Sequence, residues 1–353
     1  MNGIVSRQQP SAGVQGKRRR WLLSLSLGMT LLGASLIADN GAASARQRHR
    51  PEATPPPVDA SPPNAEMMRR ETNLRVEYFV NQGNGHFAQR DYRGAIAAYT
   101  QALQVDPNND SVYYNRANAR MLLADYGGAL TDYGYALQLN PGSVNSLIGR
   151  GLAFYNQGNL QSAIIDYNRA IQLDFNNGYA YLNRGNAYFR RGAYRAAIAD
   201  YNKALPYGSD FFEAYYIRAT ARFRLGDYPG AVADYSEALR LNPQQIDIAY
   251  KRATARLRMG DNQGAVADFN FALRFYPSDP TLYYERGTAR SRLGDKPGAI
   301  GDLQQSASLY QQQGNYEAAQ RATALVIQLQ TPPETAPRPE TKDSPSQKSQ
   351  LSP

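Results

Sequence analysis

The chain has 353 residues, of which 42% are hydrophobic, which is enough for a folded core. It contains no cysteine, so disulfides and thiolate chemistry are excluded, and its two histidines, His49 and His86, do not suggest a metal cage. The net charge is +9, but residues 76–313 carry 24 basic and 21 acidic side chains. Nucleic-acid binders concentrate far more positive charge on the folded domain, so nucleic acid is not an expected partner.

The first 45 residues have the plan of a secretory signal peptide. A basic cluster at 17–20 precedes an uncharged stretch at 21–38, and small residues follow up to Ala45. We predict cleavage after Ala45. The alternative is an uncleaved membrane anchor formed by residues 21–38, which would then be the only part in contact with a membrane. Either way, the positive-inside rule places the rest outside the cytoplasm, in the periplasm or an equivalent lumen.

Two proline-rich stretches flank the middle of the chain. Residues 46–72 contain six prolines, a spacing that predicts an extended linker instead of helices. Residues 331–353 contain six more among serine, threonine, glutamine and charged residues, and we predict a disordered tail.

A 34-residue period fills the region 73–330. Ala95 recurs as alanine in every following unit up to Ala299, without an insertion. A further apolar stripe after the last unit predicts a capping helix at 315–330. The predicted units are 76–109, 110–143, 144–177, 178–211, 212–245, 246–279 and 280–313.

Each unit has the pattern of two helices. In 212–245, residues 212–225 contain no glycine or proline, and Gly226-Asp227 then gives a helix stop followed by an N-cap. Pro229 falls in the first turn of the second helix, where its missing N–H costs nothing, and Pro243 ends that helix.

Numbered within each unit, small residues stand at positions 8, 20 and 27, and an aromatic residue usually stands at position 24. In these residues the chain resembles the tetratricopeptide repeat (TPR) family. The resemblance implies an all-α fold, a right-handed superhelical α-solenoid of helix hairpins, whose first helices line a concave groove for an extended peptide or a partner helix. Local departures are Phe175 and Ser209, where proline usually closes the repeat, and Arg90, where the turn usually has glycine.

Arginine at position 7 and aspartate at position 23 occur together in six units and are both absent from the first. Their joint presence favours structural pairs between the two helices of a unit, since unpaired buried charge is costly. The alternative is a ladder of ligand-binding arginines. The predicted pairs are Arg116–Asp132, Arg150–Asp166, Arg184–Asp200, Arg218–Asp234, Arg252–Asp268 and Arg286–Asp302.

Three sets of side chains are candidates for the groove: amides at positions 6 and 9, which suit a peptide backbone, arginines at position 13, and tyrosines at position 5. The lysine that the carboxylate-clamp TPRs need at position 5 is absent. The candidates are Asn81, Asn84, Asn115, Asn118, Asn183, Asn186, Arg190, Arg224, Arg258, Arg292, Tyr216, Tyr250 and Tyr284.

Position 11 adds arginines four residues after those at position 7, and such like-charge pairs are unfavourable on a helix. Either one carboxylate bridges each pair, or the surplus positive charge serves an anionic ligand. The pairs are Arg218/Arg222, Arg252/Arg256 and Arg286/Arg290.

The sequence contains no nucleophile–base set, metal cluster or phosphate loop, so we predict neither an enzyme nor a cofactor. The favoured function is an exported scaffold that binds an extended or acidic segment of a partner protein and helps assemble or maintain an envelope complex. The alternatives are a regulatory or targeting subunit of an enzyme complex and, less favoured, a helical-repeat RNA binder.

Overall fold

The computed structural model describes residues 65–208 and 212–331. The predicted signal peptide, residues 46–64 of the predicted linker and residues 332–353 of the predicted tail lie outside these ranges. The chain divides into two compact units, Met1–Pro243 and Gln244–Pro353. All regular secondary structure in the described ranges is helical, which confirms the predicted all-α fold class.

The described part of the first unit contains ten α-helices and one short 3₁₀ turn, Leu205–Tyr207. The described part of the second contains five α-helices, the last of which lies where the capping helix was predicted. In the first unit the helices are α1 Ala65–Ala88, α2 Tyr92–Val105, α3 Asp110–Leu122, α4 Tyr126–Leu139, α5 Val144–Asn156, α6 Leu160–Leu173, α7 Gly178–Arg190, α8 Tyr194–Ala204, α9 Phe212–Arg224 and α10 Tyr228–Leu241. In the second they are α11 Ile246–Met259, α12 Asn262–Leu273, α13 Pro280–Arg292, α14 Lys296–Gln312 and α15 Tyr316–Gln330.

Small residues let the two helices of each hairpin approach closely. The ring at position 24 is fully buried in most repeats and lies against position 8 of the first helix. A methyl group on Gly151 would stand 2.6 Å from the ring of Tyr167, and one on Gly83 would stand 2.4 Å from the ring of Tyr99. Glycine at these positions therefore makes room for the aromatic core.

The turn inside each hairpin needs a left-handed residue at position 15. Glycine fills this position from the third repeat onwards, for example Gly158 with φ +84°. Arg90 and Ala124 adopt the same conformation, with φ 62° and 58°, although neither is a glycine. The sequence pattern had singled out Arg90 and overlooked Ala124.

The prediction that the linker extends to residue 72 is wrong, because α1 begins at Ala65. After Pro63 the residues 65–75 contain no proline or glycine and are mostly strong helix formers, so the helix continues upstream of the first repeat. Within the described ranges, no helix has the length and apolar character needed to cross a bilayer.

Candidate functional site

Each of the six predicted arginine–aspartate pairs joins the two helices of one repeat. In all six the guanidinium donates two hydrogen bonds to one carboxylate, as in Arg218, whose Nη2 lies 2.6 Å from Oδ1 of Asp234. The aspartates are buried, and the Asp166 carboxylate raises the pKa of Arg150 by accepting its hydrogen bonds. Such a bidentate pair compensates two charges that would otherwise be costly to bury.

Several of these arginines also bond to the preceding repeat. Nη1 of Arg184 donates to Asn168 at 2.6 Å, and Nη1 of Arg116 donates to Thr100 at 3.0 Å. Arg218 and Arg286 make the same contact with Asn202 and Asn270. The donors are therefore used within the fold, and this geometry opposes the interpretation of the position-7 arginines as a ladder for ligands.

One carboxylate bridges the arginines at positions 7 and 11. Asp234 accepts from Arg218 and also from Nη1 of Arg222, which lies 2.9 Å away. Arg222 donates further to the carbonyl oxygen of Gly230, across the hairpin. Arg256 and Arg290 repeat both contacts, so the position-11 guanidinium groups are also held within the fold.

The position-9 asparagines do not belong to the groove, contrary to the prediction. Asn118 and Asn186 are buried, and each accepts a hydrogen bond from the tyrosine hydroxyl at position 24 of its own repeat, Tyr133 and Tyr201. Asn84 accepts from Tyr99 in the same way, at 2.8 Å. Position 9 faces the second helix of the hairpin, so its amide satisfies the core tyrosine and not a ligand.

The third repeat breaks this rule. It has Leu152 at position 9 but keeps Tyr167 at position 24, and the buried Tyr167 hydroxyl has no hydrogen-bond partner among the described residues. Burial also raises the pKa of Tyr167 well above its usual value.

The position-6 asparagines lie on the same first helices and remain accessible. Asn81 is exposed, and Asn115 and Asn183 are half-buried. In the described part of the chain none of these three amides makes a hydrogen bond, unlike the amides three residues later. They are therefore available to a peptide backbone.

Two of the four position-13 arginines are engaged in the fold. Arg190 donates to the carbonyl oxygen of Tyr155 at 2.8 Å and lies 5.1 Å above its ring. Arg292 donates to the carbonyl oxygen of Leu257 at 3.2 Å. Each bond reaches from one repeat to the end of the preceding first helix. Arg224 and Arg258 are exposed, and neither donates a hydrogen bond within the described ranges.

A carboxylate that the sequence analysis missed lies in the second unit. Glu285 is half-buried on α13; burial raises its pKa, whereas Arg258 and Arg292 act in the opposite direction. Glu285 thus partly neutralises the two predicted groove arginines of that unit. It stands at position 6, where three of the other repeats have asparagine, and this acidic residue in the sequence was the available signal.

The position-5 tyrosines are half-buried against core aromatic rings. The ring of Tyr216 lies 6.3 Å from that of Tyr235, and the ring of Tyr250 lies 6.1 Å from that of Phe269. Burial raises the pKa of Tyr250. Tyr284 is also half-buried, and its carbonyl oxygen accepts from Thr288. No group of side chains within residues 65–208 and 212–331 is arranged to hold a metal ion.

Family models agree with this architecture. A TPR repeat model matches residues 83–124 and 151–192, and a tetratricopeptide repeat model matches 182–246 and 250–308, together more than half of the chain. The chain belongs to the TPR family. The TPR fold indicates a protein–protein interaction scaffold, and TPR proteins are generally non-catalytic. A comparison with curated proteins gave no match.

Several solved structures are similar to this chain. The pilF protein of Pseudomonas aeruginosa is 16% identical with a TM-score of 0.53, over 63% of this chain and 99% of that one. A tetratricopeptide repeat protein from Parabacteroides merdae is 20% identical with a TM-score of 0.49, over 72% and 99%. YrrB, described as a TPR protein with an unusual peptide-binding site, is 15% identical with a TM-score of 0.40, over 64% and 98%. At 16% identity, the likeness to pilF concerns the fold alone.

Proposed function

We propose that this protein is an exported, non-catalytic scaffold that binds an extended segment of a partner protein along the first helices of its repeats. In this role it helps to assemble or maintain an envelope or membrane complex. The export part rests on the signal-like residues 17–45.

The observation that carries the binding proposal is the contrast between positions 6 and 9. Along α1, α3 and α7 the position-9 amides are used by core tyrosines, whereas Asn81, Asn115 and Asn183 make no hydrogen bond in the described part of the chain. An amide side chain can donate to a peptide carbonyl and accept from a peptide N–H at the same time. A series of such amides fits a ligand whose main chain is accessible, as in an extended segment.

An exposed arginine in the first unit favours a ligand with negative charge. Arg224 is exposed, donates no hydrogen bond within the described residues, and lies on the same helix as the half-buried Tyr216. An acidic or aromatic side chain of the ligand would find a partner there. Long-range attraction to such a charge speeds capture, and binding should weaken as the salt concentration rises.

Affinity capture from the envelope fraction of the native host tests the binding proposal. The full chain would be compared with Asn115→Ala/Asn183→Ala and with Arg224→Glu, using Gln101→Ala/Gln104→Ala as the control. The control removes two exposed amides from α2, a second helix. We expect the first two variants to lose a partner that the control retains, without a change in melting temperature. Retention of every partner by the asparagine variant would refute the proposal.

The export proposal has its own test. N-terminal sequencing of the protein from its native host should find Arg46 as the first residue. A membrane-bound protein that begins at Met1 would indicate the anchor instead, and a cytosolic protein would contradict both forms of the export proposal.

A further inference from the structure

The first helix extends beyond the repeat that it belongs to. α1 has 24 residues, whereas α3, α5, α7 and α9 have 13 each. The extra turns, residues 65–75, which we call the N-terminal extension, are exposed at every position except Thr72. These turns therefore present surface that the hairpin does not bury.

The extension carries an apolar stripe on the side away from the hairpin. Met67, Leu74 and Tyr78 are spaced by seven and four residues, which places them on one helical face. They are 61%, 60% and 57% exposed, whereas Val76 and Gly83, on the opposite face of α1, are buried. The stripe is therefore a surface separate from the one that packs in the repeat.

The charges around the stripe are balanced. Residues 65–78 contain three arginines and three glutamates, with Arg70 and Glu77 on the same flank of the stripe. An anionic membrane would be repelled as much as attracted by such a helix. A second copy of the same helix, by contrast, offers a glutamate for each arginine.

We propose that α1 pairs with α1 of a second copy of this chain, antiparallel and about a twofold axis. This arrangement sets Met67 opposite Tyr78 of the second copy and brings Arg70 next to the second copy's Glu77. The symmetry makes each contact twice, as an isologous interface requires. A parallel pair would instead place Arg70 near Arg75 of the second copy, which is repulsive.

Cysteine crosslinking of the full chain in its native host tests this geometry, because the protein has no cysteine of its own. Two differently tagged variants, Met67→Cys and Tyr78→Cys, would be expressed together and treated with a mild oxidant. We expect a mixed disulfide between the two tags, whereas each variant expressed alone should give little crosslink, because identical positions lie far apart in an antiparallel pair.

Charge reversal supplies a matched check in the same crosslinking assay. Arg70→Glu alone and Glu77→Arg alone should each weaken association about tenfold, and the double variant should restore it because both ion pairs re-form with exchanged signs. Crosslinks between identical positions, a mixed crosslink that ignores Arg70→Glu, or no crosslink at all would overturn the proposal. The last result, together with binding of phosphatidylglycerol vesicles that Leu74→Glu abolishes, would assign the stripe to a membrane.

Discussion

At the scale of single residues, position 9 decides whether the core tyrosine at position 24 has a hydrogen-bond partner. Asn186 accepts from the hydroxyl of Tyr201, whereas Leu152 leaves the hydroxyl of Tyr167 alone among the described residues. Both rings are fully buried, so the two sites differ mainly in this one bond.

The two tyrosines should therefore respond oppositely to loss of the hydroxyl. Tyr201→Phe leaves the buried Asn186 amide unsatisfied and should lower the free energy of unfolding by about 1–2 kcal/mol. Tyr167→Phe removes an unsatisfied polar atom and should leave stability unchanged or slightly higher. Urea denaturation of both variants measures the difference, and an equal loss in both would contradict this account.

A second residue-scale prediction concerns neighbouring glycines at the start of α4. A methyl group on Gly128 would stand 2.3 Å from Oδ2 of Asp125, the N-cap residue, and 2.7 Å from Nη1 of Arg120, whereas one on Gly127 would meet nothing within 4 Å. Gly128→Ala should disturb the cap and cost about 1 kcal/mol, and Gly127→Ala should stabilise by up to about 0.5 kcal/mol. Thermal melts of this pair would test the cap, and similar shifts in both would argue against it.

Several residue roles could be predicted from the sequence, and others could not. Arginine at position 7 and aspartate at position 23 are present together in six repeats and absent together from one. This pattern indicated ion pairs, because a charge buried inside a hairpin needs an opposite charge beside it. Asn118 was misplaced because an asparagine on a first helix looks the same whether it faces a ligand or a core hydroxyl. Leu152 stands where both neighbouring repeats have asparagine, but the tyrosine that it accompanies is unchanged. The sequence therefore did not indicate that this tyrosine hydroxyl would lack a hydrogen-bond partner.

At the scale of elements, the turn between the two helices of a hairpin requires a left-handed residue. Ala124 adopts φ 58° at this position, where an L side chain is strained. Ala124→Gly should raise the free energy of unfolding by about 0.5–1 kcal/mol, because relief of strain exceeds the added entropy of the unfolded chain.

The matched control for this turn is Gly158→Ala, at the same position of the next repeat. Its φ of +84° would be imposed on an alanine, so stability should fall by about 1 kcal/mol. Denaturant midpoints of the two variants should move in opposite directions. Movement in the same direction would show that the turn does not hold the strain assigned to it.

Helix boundaries could be predicted where a helix-capping or helix-breaking residue marks them, and less well elsewhere. Asp, Gly and Pro residues marked the hairpin turns, so the helices of 212–245 begin and end close to where the pattern placed them. The start of α1 was missed because the proline-rich linker was predicted to continue beyond its last proline, Pro63, to residue 72. Residues 65–72 contain nothing that stops a helix.

At the scale of the whole molecule, the two units differ in their buried tyrosines. In the first unit burial raises the pKa of all five position-24 tyrosines, that of Tyr235 to about 12. The second unit has Phe269 and Leu303 at the same position, and burial there raises the pKa of the position-5 Tyr250, so fewer such tyrosines act on it. A raised pKa means that the folded state keeps a proton that the unfolded state releases, so stability falls as the pH rises above the unfolded-state pKa of about 10.

Alkaline unfolding should therefore begin in the first unit. Each such tyrosine should remove about 1.4 kcal/mol of stability per pH unit above about pH 10. Far-ultraviolet circular dichroism between pH 7 and 12 should show two losses of helix, the first being the larger because that unit contains more helices. Tyr167→Phe should shift the first loss to higher pH and leave the second unchanged. One concerted loss would contradict the assignment.

The bonds from position-7 arginines to the preceding repeat have a consequence for how such genes can change length. Sixteen residues before Arg150 stands Gly134, which has no side-chain acceptor, whereas Arg116 donates to Thr100, sixteen residues before it. Excision of residues 110–143 would place Thr100 sixteen residues before Arg150 and supply the acceptor that it lacks now. Loss of these 34 codons would therefore shorten the protein and leave an acceptor at the new junction, whereas a deletion whose length is not a multiple of 34 would change the sixteen-residue separation at that junction.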